Sequence, residues 1–330
     1  MEEIIRGNFY RLAVLLPCYN EELTIQTVIE DFRKALPRAD IYVFDNNSSD
    51  RTAEFAQKAG AIVVRETRQG KGNVIRAMFE RIDADIYIMA DGDDTYPAGI
   101  AMQMIQPIMS GEADMTVGDR LSNQSYQNAA RRGKLGNYGN YFFTQIVNIL
   151  FRSSLNDIFS GYRAFSRKFV KTVPILSDGF QVETEMTLFS LDKRLKLVEI
   201  PITFKERPEG SESKLNTFKD GFRILKMIIR ICKDYKPLQT YGTIAICFAA
   251  TSLGLGAPII IDYLKTGLVL RFPTAFLCSS LMVLAMLSLS IGLILHTVSV
   301  HSKAAYEKEF KRYAWPLPDN SQRNNPPNGV

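Results

Sequence analysis

Several aspartates stand where apolar runs end. Asp45 closes IYVFD, and Asp91, Asp93 and Asp94 follow IYIMA. Carboxylates crowded at strand ends raise one another's pKa unless a cation lies among them. Hard oxygen donors of this kind suit Mg2+ or Mn2+, which bridge one or two carboxylates and substrate phosphates. Asp91 and Asp93 are therefore the candidate metal ligands. Aspartates after a strand also make turns and cap helices, a role open to Asp94 before Thr95-Tyr96-Pro97. DGDD says little alone, but its place after a fourth strand, behind PCYNEE and Asp45, favours the metal.

The elements that must hold these residues are legible between Arg11 and Asp119. Strands are expected at Leu12–Leu16, Ile41–Asp45, Ala61–Val64, Ile86–Ala90 and Met115–Val117. Between the first two, Ile25, Val28, Ile29, Phe32 and Leu36 share one helical face, with Asn20 expected as N-cap. Repeated βα units predict an α/β fold with a mostly parallel sheet and helices on both faces. Ligands of such sheets sit at the carboxyl ends of the strands. PCYNEE, DNNSSD and DGDD all fall there. No GxGxxG follows the first strand, and Gly70-Lys71-Gly72 fits neither a Rossmann fingerprint nor a Walker loop. Dinucleotide and P-loop chemistry are disfavoured.

The 330 residues carry 46% apolar and 23% charged side chains, which rules out a wholly disordered or collagenous chain. At ~150 residues per domain this is about two domains' worth of chain. A net charge of +5 is mild for a nucleic-acid binder, and no nucleic-acid partner is expected. Four cysteines without CxxC spacing and two histidines, His296 and His301, argue against structural zinc and a disulfide framework, so a reducing compartment is the default. The start, MEEIIRGNFYRLAVLLP, lacks the basic region and long apolar core of a secretory signal.

Charge is distributed unevenly. Residues 237–261 and 272–302 contain no Asp, Glu, Lys or Arg. About 20 apolar residues span a bilayer core of ~30 Å as a helix, so 238–261 and 274–300 are expected to cross as a hairpin. A pair of buried core helices is the alternative. Six basic residues between Lys219 and Lys236, and Lys303, Lys308, Lys311 and Arg312 after the second run, face only Lys265 and Arg271 in the connection. That bias places both ends in the cytoplasm. Residues 221–236 have the basic amphipathic pattern of a helix on an anionic leaflet. Residues 138–151, aromatic-rich and uncharged, read as either interfacial or core. The end beyond Trp315 has the composition of a disordered tail. The expected domains are 1–217, an interfacial helix 218–236, a hairpin 237–301 and a cytoplasmic tail 302–330.

The ordered series PCYNEE (17–22), DNNSSDRT (45–52), RQGKGN (68–73), DGDD (91–94) and VGDR (117–120) resembles the family 2 inverting glycosyltransferases of GT-A fold. NDIFSGYRAF (156–165), DGFQVETEM (178–186) and RPEGSESKL (207–215) resemble the dolichol-phosphate mannose synthase branch. With two C-terminal spans, the pattern is most similar to bacterial polyprenyl-phosphate (bactoprenol) glucosyltransferases.

This resemblance implies a nucleotide-sugar site lined by Pro17, Tyr19, Glu21, Asp45, Lys71 and Gly92, with Asp45 on the base. Asp91 and Asp93 would hold the diphosphate through Mg2+ or Mn2+, Asp93 most directly and in a catalytic role. Arg120, and less centrally Arg131, would stand beside the phosphates; solvated surface charge is the other reading of Arg120 and Lys214. Arg207, Ser213 and Lys214 belong to a basic loop, one residue longer than the RxxGxSK of relatives, that would close over the phosphates. Asp157 is the position of the catalytic base, but it could instead orient Arg163, another phosphate-side candidate, or stabilise positive charge on the sugar ring. The acceptor would be polyprenyl (undecaprenyl) phosphate at the cytoplasmic leaflet of a bacterial inner membrane. UDP-glucose is the first donor, with GDP-mannose and UDP-aminoarabinose open. A homo-oligomer, such as a tetramer, a downstream flippase and a lipid-sugar-dependent transferase are the partners implied.

Two rivals can be weighed on the residues. Processive synthases carry QxxRW, and the one tryptophan here, Trp315, stands in AWPLP. A non-catalytic membrane sensor of nucleotide sugars would keep Asp45 and DGDD but has no need of Asp157 or the basic loop.

Overall fold

The computed structural model describes residues 10–122, 134–179, 181–203, 205 and 232–313, with the backbone alone at 134–140. The chain forms two compact units, Met1–Lys214 with Tyr306–Val330, and Leu215–Ala305.

The first unit is built on β1 (Leu12–Cys18), β2 (Asp40–Asp45), β3 (Ile62–Arg65), β4 (Ile86–Met89), β5 (Met115–Asp119), β6 (Arg163–Ser166) and β7 (Leu197–Pro201). They form one sheet of order β3-β2-β1-β4-β6-β5-β7. Neighbours are parallel except β6, which runs antiparallel to both β4 and β5. The five expected strands are all present, each bound within two residues of expectation. Val14 and Leu16 belong to one core layer, Ala13 and Leu15 to the other, and all four are buried. Burial on both faces explains why this strand reads as a continuous apolar run.

Helices α1 (Ile25–Ala35) and α4 (Ala101–Met109) cover one face of the sheet, and α3 (Lys71–Arg81), α6 (Arg167–Thr172) and α7 (Val182–Lys193) the other; α2 (Thr52–Lys58) links β2 to β3. The expected one-face pattern of α1 holds, since Ile25, Val28, Ile29 and Phe32 are buried. Its cap does not. Thr24 occupies the N-cap position, while Asn20 sits upstream at φ 55° and accepts the Ser49 N–H on its side-chain oxygen. Asn tolerates the left-handed region, so this residue turns the chain rather than starting the helix.

Helix α5 (Lys134–Phe151) includes the segment read as interfacial or core. Phe143, Thr144 and Val147 are buried, whereas Tyr141, Phe142 and Ile149 are exposed, Ile149 by 77%. One face packs, with Phe143 against Phe159 at 5.5 Å, and the opposite face is left apolar and open.

The second unit contains α8 (Pro237–Thr266) and most of α9 (Phe272–Arg312). Both are long and apolar enough to cross a membrane. Only 17% of each apolar window is buried within the protein, so they are not core helices. Apart from Pro237 at the start of α8, the few buried residues recur every seventh position: Ala245, Ser252 and Ile259 on α8, Cys278, Ala285 and Gly292 on α9. All but Ile259 are small, and small side chains at heptad spacing let two helices approach closely; the Ser252 hydroxyl donates to Cys278 O at 2.8 Å.

Helix α9 continues past the expected boundary at 301. Tyr306 and Phe310 pack on the core of the sheet unit, where the Tyr306 ring meets Phe189 edge-on and its hydroxyl lies 3.0 Å from that of Thr172. The start of the expected tail is therefore helix; 314–330, and 218–231 of the expected interfacial helix, lie outside the described residues.

Candidate functional site

The carboxyl ends of β1, β2 and β4 bring the predicted acids together. Asp45 ends β2, buried, and accepts the Ser48 N–H. Asp93 is buried in the turn after β4, where one oxygen accepts the Thr95 hydroxyl at 2.6 Å and the Thr95 N–H at 3.2 Å. Glu21 opens the turn into α1, its N–H held by the Thr52 hydroxyl at 2.8 Å. All four acids converge on Cys18, the last residue of β1. Burial pushes its thiol pKa well up, and Glu21, Asp91, Asp45 and Asp93 push it the same way.

Glycines explain how the loops fit. A Cβ on Gly92 would lie 2.6 Å from Cys18 Sγ, so only glycine lets the DGDD turn settle on the end of β1. Gly70 and Gly72 lie under the backbone of Ser177 and Asp178, and a Cβ on either would overlap a carbonyl oxygen there. The Gly70 N–H is held by the Asn46 side chain at 2.7 Å. Between these glycines Lys71 points inward. Its Nζ lies 2.5 Å from Asp91 Oδ1 and 2.6 Å from Glu183 Oε1. Burial alone would lower the pKa of this ammonium, but the two carboxylates outweigh it and hold the group above the ordinary lysine value.

Among the described residues, no three His, Cys, Asp or Glu side chains are placed to cage a metal. A pair of carboxylates with phosphate oxygens completing the shell is the arrangement Mg2+ and Mn2+ usually take, and Asp91 with Asp93 supplies that pair. A Cβ on Gly161 would stand 2.8 Å from Asp91 Oδ2, so glycine there keeps space beside the oxygen. The donor set fits a divalent ion shared with a diphosphate.

A second charged centre lies beyond β5. Arg120 grips Asp157 through Nε at 2.6 Å, Nη2 at 3.0 Å and its own backbone N–H at 3.2 Å. Asp157 is buried. Its backbone N–H and that of Asn156 are held by the Glu199 carboxylate, at 2.8 and 2.9 Å. Asp119 accepts the N–H groups of Leu121 and Ser122, the Ser122 hydroxyl and the Asn156 amide.

The other expected residues differ in their surroundings. Pro17 is buried within β1, paired opposite Phe44. Arg163 is fully buried, donating to Ser160 O, Ile158 O and the Thr187 hydroxyl, and burial lowers its pKa to about 10. It serves the core, and the arginine that Asp157 orients is Arg120, not Arg163. Tyr19 is exposed beside the acids. Arg131, Arg207, Ser213 and Lys214 lie outside the described residues. Glu183 and Glu199 were not expected. Two acids in the first turn of α7 read as ordinary helix-end charges, and only the contact with Lys71 distinguishes Glu183.

Residues 13–173 match the family described as Glycosyl transferase family 2. The glycosyltransferase AglJ of Haloferax volcanii is 36% identical over 257 residues, which cover 76% of this chain and 81% of AglJ. A dolichyl-phosphate hexose transferase of the same organism is 30% identical over 227 residues, 68% of this chain and 96% of that protein. Among solved structures, glucosyl-3-phosphoglycerate synthase from Mycobacterium tuberculosis, in complex with Mn2+, UDP-glucose and phosphoglyceric acid, is similar at a TM-score of 0.55. It covers 70% of this chain and 81% of that one, and at 20% identity the likeness is one of fold.

Proposed function

The chain belongs to glycosyltransferase family 2 and has the GT-A fold, and from that premise we propose that it moves one hexose from a nucleotide sugar to a polyprenyl phosphate at a membrane surface, with inversion. The observation that carries this is the gathering of Asp45, Asp91, Asp93 and Glu21 around one strand end, in a chain with two helices able to cross a bilayer. The dolichyl-phosphate hexose transferase supports the lipid phosphate as acceptor class. UDP-glucose is the first donor, on the resemblance of the motifs, ahead of GDP-mannose and UDP-aminoarabinose.

Asp45 and Tyr19 would receive the nucleotide, and Asp91 and Asp93 would hold Mg2+ or Mn2+. The ion, when bound, would offset charge on the departing diphosphate. An acceptor phosphate with a second pKa of ~6 is largely dianionic at neutral pH, so no strong base is required. Asp157 has both oxygens on Arg120, which suits a positioning role. Arg120, its Nε and Nη2 taken up by Asp157, would be held in place as a cation beside the acceptor phosphate, with Arg131, Arg207, Ser213 and Lys214 as further contacts. Holding two phosphates together against repulsion is the main contribution of these cations. The open face of α5, with Tyr141, Phe142 and Ile149, suits the headgroup region of a leaflet.

Membranes carrying the protein, given undecaprenyl phosphate and radiolabelled UDP-glucose or GDP-mannose, should yield a lipid-linked monosaccharide. Asp93→Asn should abolish the product while leaving the protein folded and membrane-bound, a loss of at least about 10²-fold. Nucleotide-sugar binding with no lipid product from any donor would favour the sensor.

A further inference from the structure

Lys71 carries a charge that the proposed transfer leaves unexplained. Its Nζ is shared between Asp91 Oδ1 and Glu183 Oε1, and the lysine and glutamate side chains are only 10% and 5% exposed. The space is tight, since a Cβ on Gly161 would stand 3.2 Å from Nζ. The second Glu183 oxygen is buried without a hydrogen-bond partner, so this carboxylate has acceptor capacity to spare. Asp91 is the more exposed of the two carboxylates, and it is the one read as a metal ligand.

We infer, resting on the reading of Asp91 and Asp93 as cation ligands, that Lys71 competes with the divalent ion for Asp91 while Glu183 retains the lysine, so that the ion binds tightly only together with the nucleotide diphosphate. An ion arriving alone meets an ammonium already on its ligand, and like charges at that distance repel. A diphosphate brings enough negative charge for both cations. The ammonium, a point charge with rotatable donors, can turn toward phosphate while Glu183 still holds it. Binding of ion and nucleotide is then reciprocal, each tightening the other by the same factor. Glu183 is the positioning residue of this arrangement.

The test is Mn2+ affinity of the full detergent-solubilised chain, read from the free-ion electron paramagnetic resonance signal without nucleotide and with UDP or GDP. Wild type should bind Mn2+ at least tenfold more tightly with one of these nucleotides. Lys71→Met should tighten nucleotide-free Mn2+ binding at least tenfold and shrink the nucleotide effect. Glu183→Gln should act in the opposite direction, because Lys71 then rests on Asp91 alone. The double variant Lys71→Met/Glu183→Gln leaves no unpaired buried carboxylate at Glu183 and keeps the test decisive if the single lysine variant does not fold; it too should tighten. Nucleotide-free affinity that is unchanged or weaker without Lys71, or tighter in Glu183→Gln, overturns the inference while the metal reading stands. No Mn2+ bound by wild type even with nucleotide overturns both.

Discussion

The parallel half of the sheet, β3-β2-β1-β4, and the mixed half, β6-β5-β7, each hold one cation in a carboxylate grip, and the two grips differ in kind. On the parallel side the ammonium of Lys71 is divided between carboxylates from separate elements, the turn after β4 and helix α7. On the mixed side the guanidinium of Arg120 makes a bidentate contact with a single carboxylate, Asp157, whose backbone is itself held by Glu199 on β7. A shared ammonium can change partners, whereas a planar fork on one carboxylate is fixed in geometry. On the proposed function, the parallel side would then adjust to the donor, and the mixed side would present one cation in one place.

The largest test of that contrast is Asp157→Ala. The pair is nearly buried, and removing one member leaves the other charge uncompensated, a loss of about 3–5 kcal/mol of stability. If the mixed side positions the acceptor, turnover should fall by about 10²-fold with nucleotide-sugar KM little changed. Asp157→Asn keeps the shape and should recover part of the stability but not the turnover. Equal losses in turnover and nucleotide-sugar affinity would erase the distinction between the halves.

A smaller effect is expected from Gly72→Ala on the parallel side. The new Cβ overlaps Ser177 O, a backbone atom that can move only with its loop. Overpacking of this kind costs about 1–3 kcal/mol. Because the shift would tilt Lys71, it should raise nucleotide-sugar KM more than it lowers turnover. Gly99→Ala meets nothing within 4 Å and is the control, with thermal stability within about 0.5 kcal/mol of wild type.

Legibility in the sequence divides along the same line. Repeated βα units announce β1 to β5, and acids after strands in such a sheet must face one another at its carboxyl edge, so Asp45, Asp91, Asp93 and Glu21 could be placed together. Within the mixed half only β5 is announced in this way, and β6 and β7 give no comparable signal. β6 is four residues, RAFS, led by an arginine expected beside the phosphates; its place between β4 and β5 depends on antiparallel pairing across at least 74 residues to β4 and 46 to β5. Arg163 turns into the core instead, where carbonyls of its own loop, at Ser160 and Ile158, satisfy the guanidinium. The contact of Lys71 with Glu183 joins residues far apart in sequence, and no local pattern announces it. In the hairpin, the heptad of Ala245, Ser252 and Ile259 is present in the sequence, but these three do not stand out among many apolar neighbours until a partner helix selects them.

Glu199→Gln should have the smallest effect, and it tests the rigidity of the mixed half by a route other than turnover. Burial is the main influence on Glu199 and raises its carboxyl pKa above the ordinary glutamate value; the N–H groups of Asp157 and Asn156 offset this in part, while nearby Asp119 and Asp157 add to the rise. Folded protein therefore keeps this proton to higher pH than the unfolded chain, whose glutamate titrates near ~4.3. Between the two values the folded state carries more protons than the unfolded one, so this group's contribution to stability falls as pH rises through the window and is level above it. Glutamine removes the titration and keeps one carbonyl oxygen for the two N–H donors. The variant should lose that downward component of stability just above pH ~4.3, lie within about 1 kcal/mol of wild type at neutral pH, and lose only a few-fold in turnover with unchanged nucleotide-sugar KM. Thermal unfolding across the acid range reads the first effect, and the transfer assay reads the last. Turnover unchanged from wild type, together with an identical pH profile, would mean that Glu199 does not anchor the Asn156–Asp157 backbone. The mixed half would then be no more rigid than the parallel one.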